Sequence, residues 1–460
     1  MKLYDTLSGN KLEFAPLEDR VTMYVCGPNL YGPCHIGHAL SYVFFDVLRR
    51  YLEHKGHHVL QVQNFTDIED RIIETAQNEN RTIGDLAEQY IERFLKEMDA
   101  LGVQRAHHYP KATEYINQMI EIIQDLIAKG NAYLVEGDVY FRVRTFQSYG
   151  HLSRRPIEEM KAGSRIDIDP RKEDPMDFAL WKASKEGEPF WDTPWGHGRP
   201  GWHIECTAMS ISLLGKQIDI HGGGQDVIFP HHENEIAQSE VYTGASPFVR
   251  FWVHNGLLRL QDEDDEKMTR HRGNFISCQE ALASHSADTL RLYFLSSHYR
   301  SPLAFTGDGV NAAERGRQRL LNAIRPNIGG RTDDLVDVDR YINRFLDAMD
   351  DDLNTPQALA ALFDLAREIN RRREAGAAAE QAQTTLREMA SVLGLSLDDQ
   401  SHPGQKDAHP FIELLVETRN QLRSERNWQL GDSIRDQLEK LGVTLEDTSS
   451  GTQWRFKNHR

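Results

Sequence analysis

The chain is poor in the residues that would place it outside the cell or in a membrane. Four cysteines in 460 residues, Cys26, Cys34, Cys206 and Cys278, are too few and too scattered for a disulfide framework, which leaves metal binding or plain core thiols as their use. No apolar run approaches the roughly 20 residues a bilayer span needs, so no membrane partner is expected. The opening MKLYDTLSGNKLEF lacks the apolar core of a secretory signal, and the expected location is cytoplasmic. Basic residues are also in deficit: 53 Lys and Arg against 70 Asp and Glu leave a formal net charge of −17, which argues against a protein that coats nucleic acid without selection. A polyanionic partner would need locally basic surface.

What the chain does contain is a globular balance, with 39% hydrophobic and 27% charged residues. Its length exceeds what one core holds, so several domains are expected. VTMYVC at 21–26 reads as a buried strand that enters the turn-prone GPNLYGP; HIGHALSYVFFDVLRRYLEHKG is amphipathic and helical; HHVLQVQNF is a second strand. Strand, loop, helix, strand is the unit of parallel doubly wound sheets, whose ligands sit where strands end. The expected fold is therefore α/β, a doubly wound parallel Rossmann-type sheet with an inserted module, followed by a helical bundle and a small C-terminal domain. The expected boundaries are 1–110 and 196–260 for the two halves of the sheet domain, 111–195 for the insertion, 261–310 for a loop region, 311–397 for the bundle, 398–410 for a polar linker and 411–460 for the last unit. The motif DDDLNTP at 350–356 interrupts the helical part.

Four constellations could carry chemistry. His35-Ile36-Gly37-His38 stands where a strand gives way to a helix, and a helix N-terminus with unpaired N–H groups suits a phosphate. Gly37 leaves space for a flat base, although two histidines in a first turn can equally be solvated caps. Lys267 and Arg270, in KMTR, could pair with phosphates, but such a string alone also reads as an ordinary surface loop. Cys26, Cys206, His231 and Glu235 form a plausible zinc set, because positions i and i+4 of a helix share a face and two thiolates, an imidazole and a carboxylate suit that ion. Two buried thiols beside an exposed polar helix is the competing reading, and His232 is an alternative ligand. Gly222, Gly223, Gly224 and Asp226 end a strand in a turn that would let backbone approach a ligand, with an acid available to a ribose; the same run can be a plain tight connection.

Taken in order, YVCG, CHIGH, NFTDIEDRI, GWHIEC, DIHGGGQD, FPHHENEIAQS and KMTRHRGNF resemble the cysteinyl-tRNA synthetases, a branch of the class I aminoacyl-tRNA synthetases. The resemblance extends through DDDLNTPQAL and LEKLGVTLEDTSSGTQWR, which look like that family's tRNA-contacting half. It implies a zinc ion held by Cys26, Cys206, His231 and Glu235 that binds the substrate thiol, and an amino-acid pocket shaped by Trp202, His221 and Thr66. It also implies ATP as substrate, with Mg²⁺, at His35, His38, Lys267 and Arg270, and L-cysteine and tRNA(Cys) as partners of a monomer. On this reading 261–310 holds the KMSKS-like loop and a stem-contact region, 311–397 binds tRNA and 411–460 recognises the anticodon.

The chain departs from the family pattern in two places. The usual K-M-S-K-S reads K-M-T-R-H, directly preceded by five acids, Asp262 to Glu266. A planar guanidinium replaces an ammonium there, and acids so close oppose triphosphate binding. Before HIGH stands Asn29-Leu30-Tyr31-Gly32, and after it Ala39-Leu40-Ser41, where the family commonly has an acid and an Arg. These changes keep two other readings open: a ligase that passes cysteine to a small amine, and a non-catalytic tRNA-binding paralogue. Local basic charge is present for tRNA, with five arginines against one glutamate at 314–331 and three arginines at 371–373. Trp428 and Trp454 could stack on bases but read first as core.

Overall fold

Residues 20–25 and 58–63 run from an exposed first residue to three buried last ones, and strands of that kind lie inside a sheet covered by helices. The computed structural model of the chain describes residues 1–156, 169–260, 275–326, 336–398, 409–448 and 451–456, and divides into two units, 1–397 and 398–460. In the first, a hairpin of β1 (Lys2–Asp5) and β2 (Asn10–Glu13) leads into β3 (Arg20–Val25). Helix α1 (Ile36–His54) crosses over to β4 (His58–Gln63), which pairs parallel with β3, Val21 opposite Val59. The crossover is held by apolar burial, with Tyr42, Val43, Phe44, Phe45, Val47 and Leu48 of α1 all in the core.

Helices α2 (Asp70–Asn78), α3 (Ile83–Ala100) and α4 (Ile116–Ala128) follow. Next comes an antiparallel module in which β5 (Ala132–Val135), β6 (Asp138–Phe141), β7 (Phe178–Ala183), β8 (Trp191–Thr193) and β9 (Gly196–Pro200) pair in the order β5-β6-β7-β9-β8. This sheet runs past position 195, because β9 closes it against β7 before α5 (Trp202–Leu214) begins. The parallel sheet then resumes with β10 (Ile218–Gly224), α6 (Glu233–Thr243) and β11 (Val249–Asn255), giving the order β11-β10-β3-β4. The α/β doubly wound architecture expected from the sequence is thus the one observed.

After a short parallel pair, β12 (Leu258–Leu260) with β13 (Leu303–Phe305), come α7 (Cys278–Ser284) and α8 (Ala287–Leu295), which lie between these strands in sequence, then α9 (Gly307–Ile324), α10 (Asp339–Asp350), α11 (Thr355–Glu374) and α12 (Glu380–Val392). A buried charge ties them to α1. Arg291 ion-pairs with Asp46 at 2.5 Å and donates to the carbonyls of Leu101 and Leu393, so α1, α8 and the end of α12 share one node. Breaking one partner of such a pair strands a buried charge.

Among its described residues the second unit has two helices, His409–Ser424 and Trp428–Lys440, and an antiparallel hairpin, β14 (Val443–Thr448) with β15 (Gly451–Phe456). Ile412, Val416, Leu438, Val443 and Leu445 form its core, with Trp454 packed against them. Trp428 departs from the core expectation: it is 52% exposed, and the Arg423 guanidinium lies 5.1 Å from its ring centroid. Among the described residues no helix is long and apolar enough to cross a membrane.

Candidate active site and metal centre

Three parallel strands deliver their ends to one rim, and the cluster forms there. Cys26 follows β3 directly and its backbone N–H donates to the Gly222 carbonyl at 3.0 Å, tying it to β10. Cys206 comes from the buried face of α5, His231 from the turn before α6, and Glu235 from the first turn of α6. One donor atom from each of Cys26, Cys206, His231 and Glu235 lies within 4.8 Å of all the others. The four residues that the donor chemistry allowed and the resemblance implied as ligands are therefore brought together, across more than two hundred positions of sequence.

The donors fit a soft divalent cation. The Cys206 thiol is pushed well above its usual pKa by its hydrogen bond with Cys26 and by burial, so two thiolates side by side need a positive charge. Burial would raise Glu235 as well, yet His221 and His231 hold it down at about 2, keeping a carboxylate in the core. Its Oε1 ion-pairs with His231 Nε2 at 3.0 Å but accepts no well-aligned hydrogen bond, which leaves a buried oxygen with capacity for a further ligand.

A second grouping overlaps the first: Cys26, His221, His232 and Glu235 also lie within 4.8 Å of one another. The two share Cys26 and Glu235, so they cannot both be filled. The imidazoles of the second are already engaged. His221 Nε2 is 2.9 Å from Glu235 Oε2, His232 Nε2 is 3.2 Å from Cys26 Sγ, and His232 Nδ1 is 2.7 Å from His254 Nε2, which continues through its Nδ1 to Thr6 Oγ1 at 2.8 Å. That set has one soft thiolate where the first has two. His203, 3.0 Å from His231 through their Nδ1 atoms, and His254 escaped the sequence reading, because nothing in spacing ties them to positions 231 and 232.

The other residues assigned to the amino-acid pocket surround this cluster. The Trp202 ring lies 4.3 Å from that of His231, and the His221 ring stacks on Trp252 at 4.6 Å. Thr66 donates to Glu205 Oε2 at 3.2 Å and accepts from Asn64 at 3.3 Å, while Asn64 Oδ1 accepts from the Gly27 N–H at 2.8 Å. The three glycines correct the expected turn. Gly222, Gly223 and Gly224 belong to β10 and pair with Val253, His254 and Asn255. A Cβ on Gly222 would stand 2.4 Å from Phe45 of α1, so this glycine is needed for helix-on-strand packing. Gly224 lies against Asp226, whose Oδ1 would be 2.4 Å from an added Cβ.

At the nucleotide end, His35 caps α1. Its Nδ1 accepts from His38 N–H and His38 Nδ1 accepts from His35 N–H, both at 3.3 Å, and the rings stack with centroids 3.8 Å apart. The His35 ring also fills the space beside Gly37, where an added Cβ would stand 2.9 Å from Nδ1. The two histidines thus cap this turn for each other. Lys267, Arg270 and the acids from Asp262 to Glu266 lie outside the described residues.

Two family models match the chain, the tRNA synthetases class I (C) catalytic domain over residues 13–315 and the DALR domain over 344–398. A cysteine–tRNA ligase of Dehalococcoides mccartyi is 51% identical over 459 residues, 99% of this chain and 100% of the relative. One from Halorhodospira halophila is 48% identical, covering 99% of each. Among solved structures, a Mycobacterium tuberculosis methionyl-tRNA synthetase in complex with methionyl-adenylate aligns with TM-score 0.59 at 15% identity, covering 82% of this chain and 90% of that one, which speaks for the fold. With full-length identity at this level and the catalytic model matched over more than half its length, the chain belongs to the cysteine–tRNA ligase family of class I tRNA synthetases.

Proposed function

We propose that the chain activates L-cysteine with ATP to cysteinyl-adenylate and transfers the cysteinyl group to tRNA(Cys), working as a cytoplasmic monomer. The observation that carries this reading is the meeting of Cys26, Cys206, His231 and Glu235 at the rim of a sheet whose first helix starts at His35 and His38. These four residues would hold zinc, and the chemistry that ion supplies when bound is a soft Lewis acid that prefers a thiolate to a hydroxyl. Selection against serine then rests on bond strength, where a pocket differing by one atom would discriminate weakly.

The protein's own groups do the rest. Trp202 beside His231 walls the thiol end and keeps bulk water from it. Thr66, oriented by Glu205 and Asn64, is the hydroxyl nearest Gly27 along that hydrogen-bonded string and positions the substrate backbone. The substrate carboxylate oxygen attacks the α-phosphorus of ATP, which arrives as its magnesium complex; an O–P bond forms and the bond to pyrophosphate breaks. The attacking oxygen is already ionised, so no general base is required. His35 and His38, at the positive end of α1, and Lys267 with Arg270 stabilise charge on the phosphates as it develops. The terminal 2′-hydroxyl of tRNA then takes the aminoacyl group and AMP leaves.

Transfer to a small amine is disfavoured by the DALR match and by the helices and hairpin that follow it, which such a ligase has no use for. Cysteine-dependent ATP–pyrophosphate exchange, measured beside charging of tRNA(Cys), tests the proposal. Both activities are expected; exchange without charging would favour the small-amine reading, and neither would favour a non-catalytic paralogue.

A further inference from the structure

The motif DDDLNTP resembles part of a tRNA-contacting region, yet its three acids are all engaged within the chain and the third is buried. Asp350, at the end of α10, accepts from Tyr51 OH at 2.7 Å and from Lys55 at 3.1 Å, both on or beside α1. Asp351 accepts from Lys11 at 2.7 Å. Asp352 is fully buried and is the most heavily used: Oδ1 accepts from the Tyr4 N–H at 2.8 Å and Tyr299 OH at 2.7 Å, while Oδ2 accepts from Arg300 Nε at 2.9 Å and ion-pairs with its terminal nitrogen at 2.8 Å. Its own N–H donates to Lys2 O at 3.0 Å. The backbone there is left-handed, with φ of 62° at Asp352 and 51° at Leu353. A leucine in that conformation costs free energy, so the turn is held by what it contacts.

What Asp352 holds leads to the nucleotide rim. The Tyr299 carbonyl accepts from the Gly256 N–H at 2.7 Å, just past the end of β11, and the Arg300 carbonyl accepts from the Gln225 side chain at 3.1 Å, just past the end of β10. The Leu303 N–H donates to Leu257 O at 3.1 Å, and β12 starts at Leu258. A Cβ on Gly256 would stand 2.2 Å from Ser301 O, so the two segments touch backbone to backbone. The Tyr299 ring stacks on Phe44 of α1 with centroids 4.2 Å apart and planes 9° from parallel. Residues 299–301 are therefore wedged between α1 and the ends of β10 and β11, and one buried carboxylate grips the Tyr299 and Arg300 side chains of that wedge.

We propose that Asp352 is a positioning residue for ATP: through Tyr299 and Arg300 it sets Gln225 and the 256–258 segment, whose Leu258 lies 3.8 Å from where a Cβ on Gly37, in the His35–His38 turn, would stand. This rests on the reading of the rim as an adenylate-forming site. Cys26, Cys206, His231 and Glu235 are carried by the end of β3, by α5 and by the start of α6 rather than by residues 299–301, so the two substrates respond differently when the grip is loosened.

The test is the pair of KM values in cysteine-dependent pyrophosphate exchange, per folded and zinc-loaded active site. Asp352→Asn keeps the shape but removes the charge that two donors share. It is expected to raise KM for ATP about tenfold while KM for cysteine stays within about twofold. Tyr299→Phe preserves the ring stack and should move KM for ATP the same way, by about threefold. If Asp352→Asn does not fold, Tyr299→Phe and Arg300→Lys decide the matter. Folded variants with an unchanged KM for ATP, or with both KM values raised equally, would overturn the positioning role. A wild-type chain with no exchange at all would instead refute the proposed function, before any variant is made.

Discussion

The two ends of the site are built in opposite ways. The thiol end draws Cys26, Cys206, His231 and Glu235 from distant segments into a space where Cys206, His231 and Glu235 are almost wholly buried. The proposed nucleotide end, within the described residues, is one turn of chain, with His35 and His38 capping each other at the start of α1. Burial explains the contrast. A group that must discriminate a thiol from a hydroxyl gains from a rigid, water-poor surround, whereas phosphate recognition uses backbone N–H groups and a helix end that any strand–loop–helix supplies. The first end is expensive to assemble and unforgiving of substitution; the second is local and graded in its response.

The sharpest break of that comparison is at the thiol end. Cys206→Ser should leave less than about a tenth of an equivalent of zinc and cost exchange about 1000-fold or more, because a neutral hydroxyl replaces a thiolate. His231→Ala should do nearly the same while His232→Ala keeps most of the metal, as metal analysis of the purified proteins would show. The reverse pattern would move the site to the overlapping set of Cys26, His221, His232 and Glu235. At the nucleotide end, His38→Asn should lower kcat for exchange about 100-fold with little change in cysteine binding. Lys267→Ala should behave alike and Arg270→Lys should be tolerated; near-normal exchange in the first two would show the nucleotide site to be misplaced.

The same contrast decides what could be read from sequence. The strands and α1 were legible because burial on both faces of β3 and β4 and on one side of α1 writes a pattern into consecutive residues. The four proposed ligands were legible only as a chemical set and through the family resemblance, since spacing does not say which side chains meet. Hence the sequence offered His231 and His232 as alternatives, and their partners His203 and His254 went unseen. Glycine was misleading for a related reason. A run of three reads as an open turn, but whether it faces a ligand or a neighbour depends on Phe45, far away in sequence. Trp428 taught the same about aromatics, being half exposed under Arg423 where pattern suggested core.

A smaller effect is expected when the comparison is widened from the two ends of the site to the two units. Truncation at 398, the boundary between them, should leave exchange within about twofold, because the described cysteine and nucleotide residues lie in the first unit. Charging of tRNA(Cys) should fall about tenfold or more, the lost contacts being those with the RNA alone. Unchanged charging by the truncated chain would remove the role given to the last unit.

The smallest expected effect lies inside that unit. Arg419 is fully buried and makes two 2.8 Å hydrogen bonds to the Asp447 carboxylate at the start of the hairpin turn. Those bonds, with one from Thr452, hold the Asp447 carboxyl well below the usual carboxylate range. A folded-state pKa below the unfolded value of about 3.9 means that the contribution is complete above that value and is lost as pH falls through it toward the folded one. The Asp447 side chain is 42% exposed, so solvent screening limits the contribution to about 1 kcal/mol. Asp447→Asn should therefore raise the exchange of hairpin amides in the full chain about fivefold at pH 7, after correction for intrinsic rates. At pH 3 the gap between variant and parent should narrow, because the opened parent chain takes up a proton on Asp447 before the folded one does. A gap that stayed constant with pH would mean that the aspartate acts through shape and hydrogen bonding rather than through its charge on Arg419.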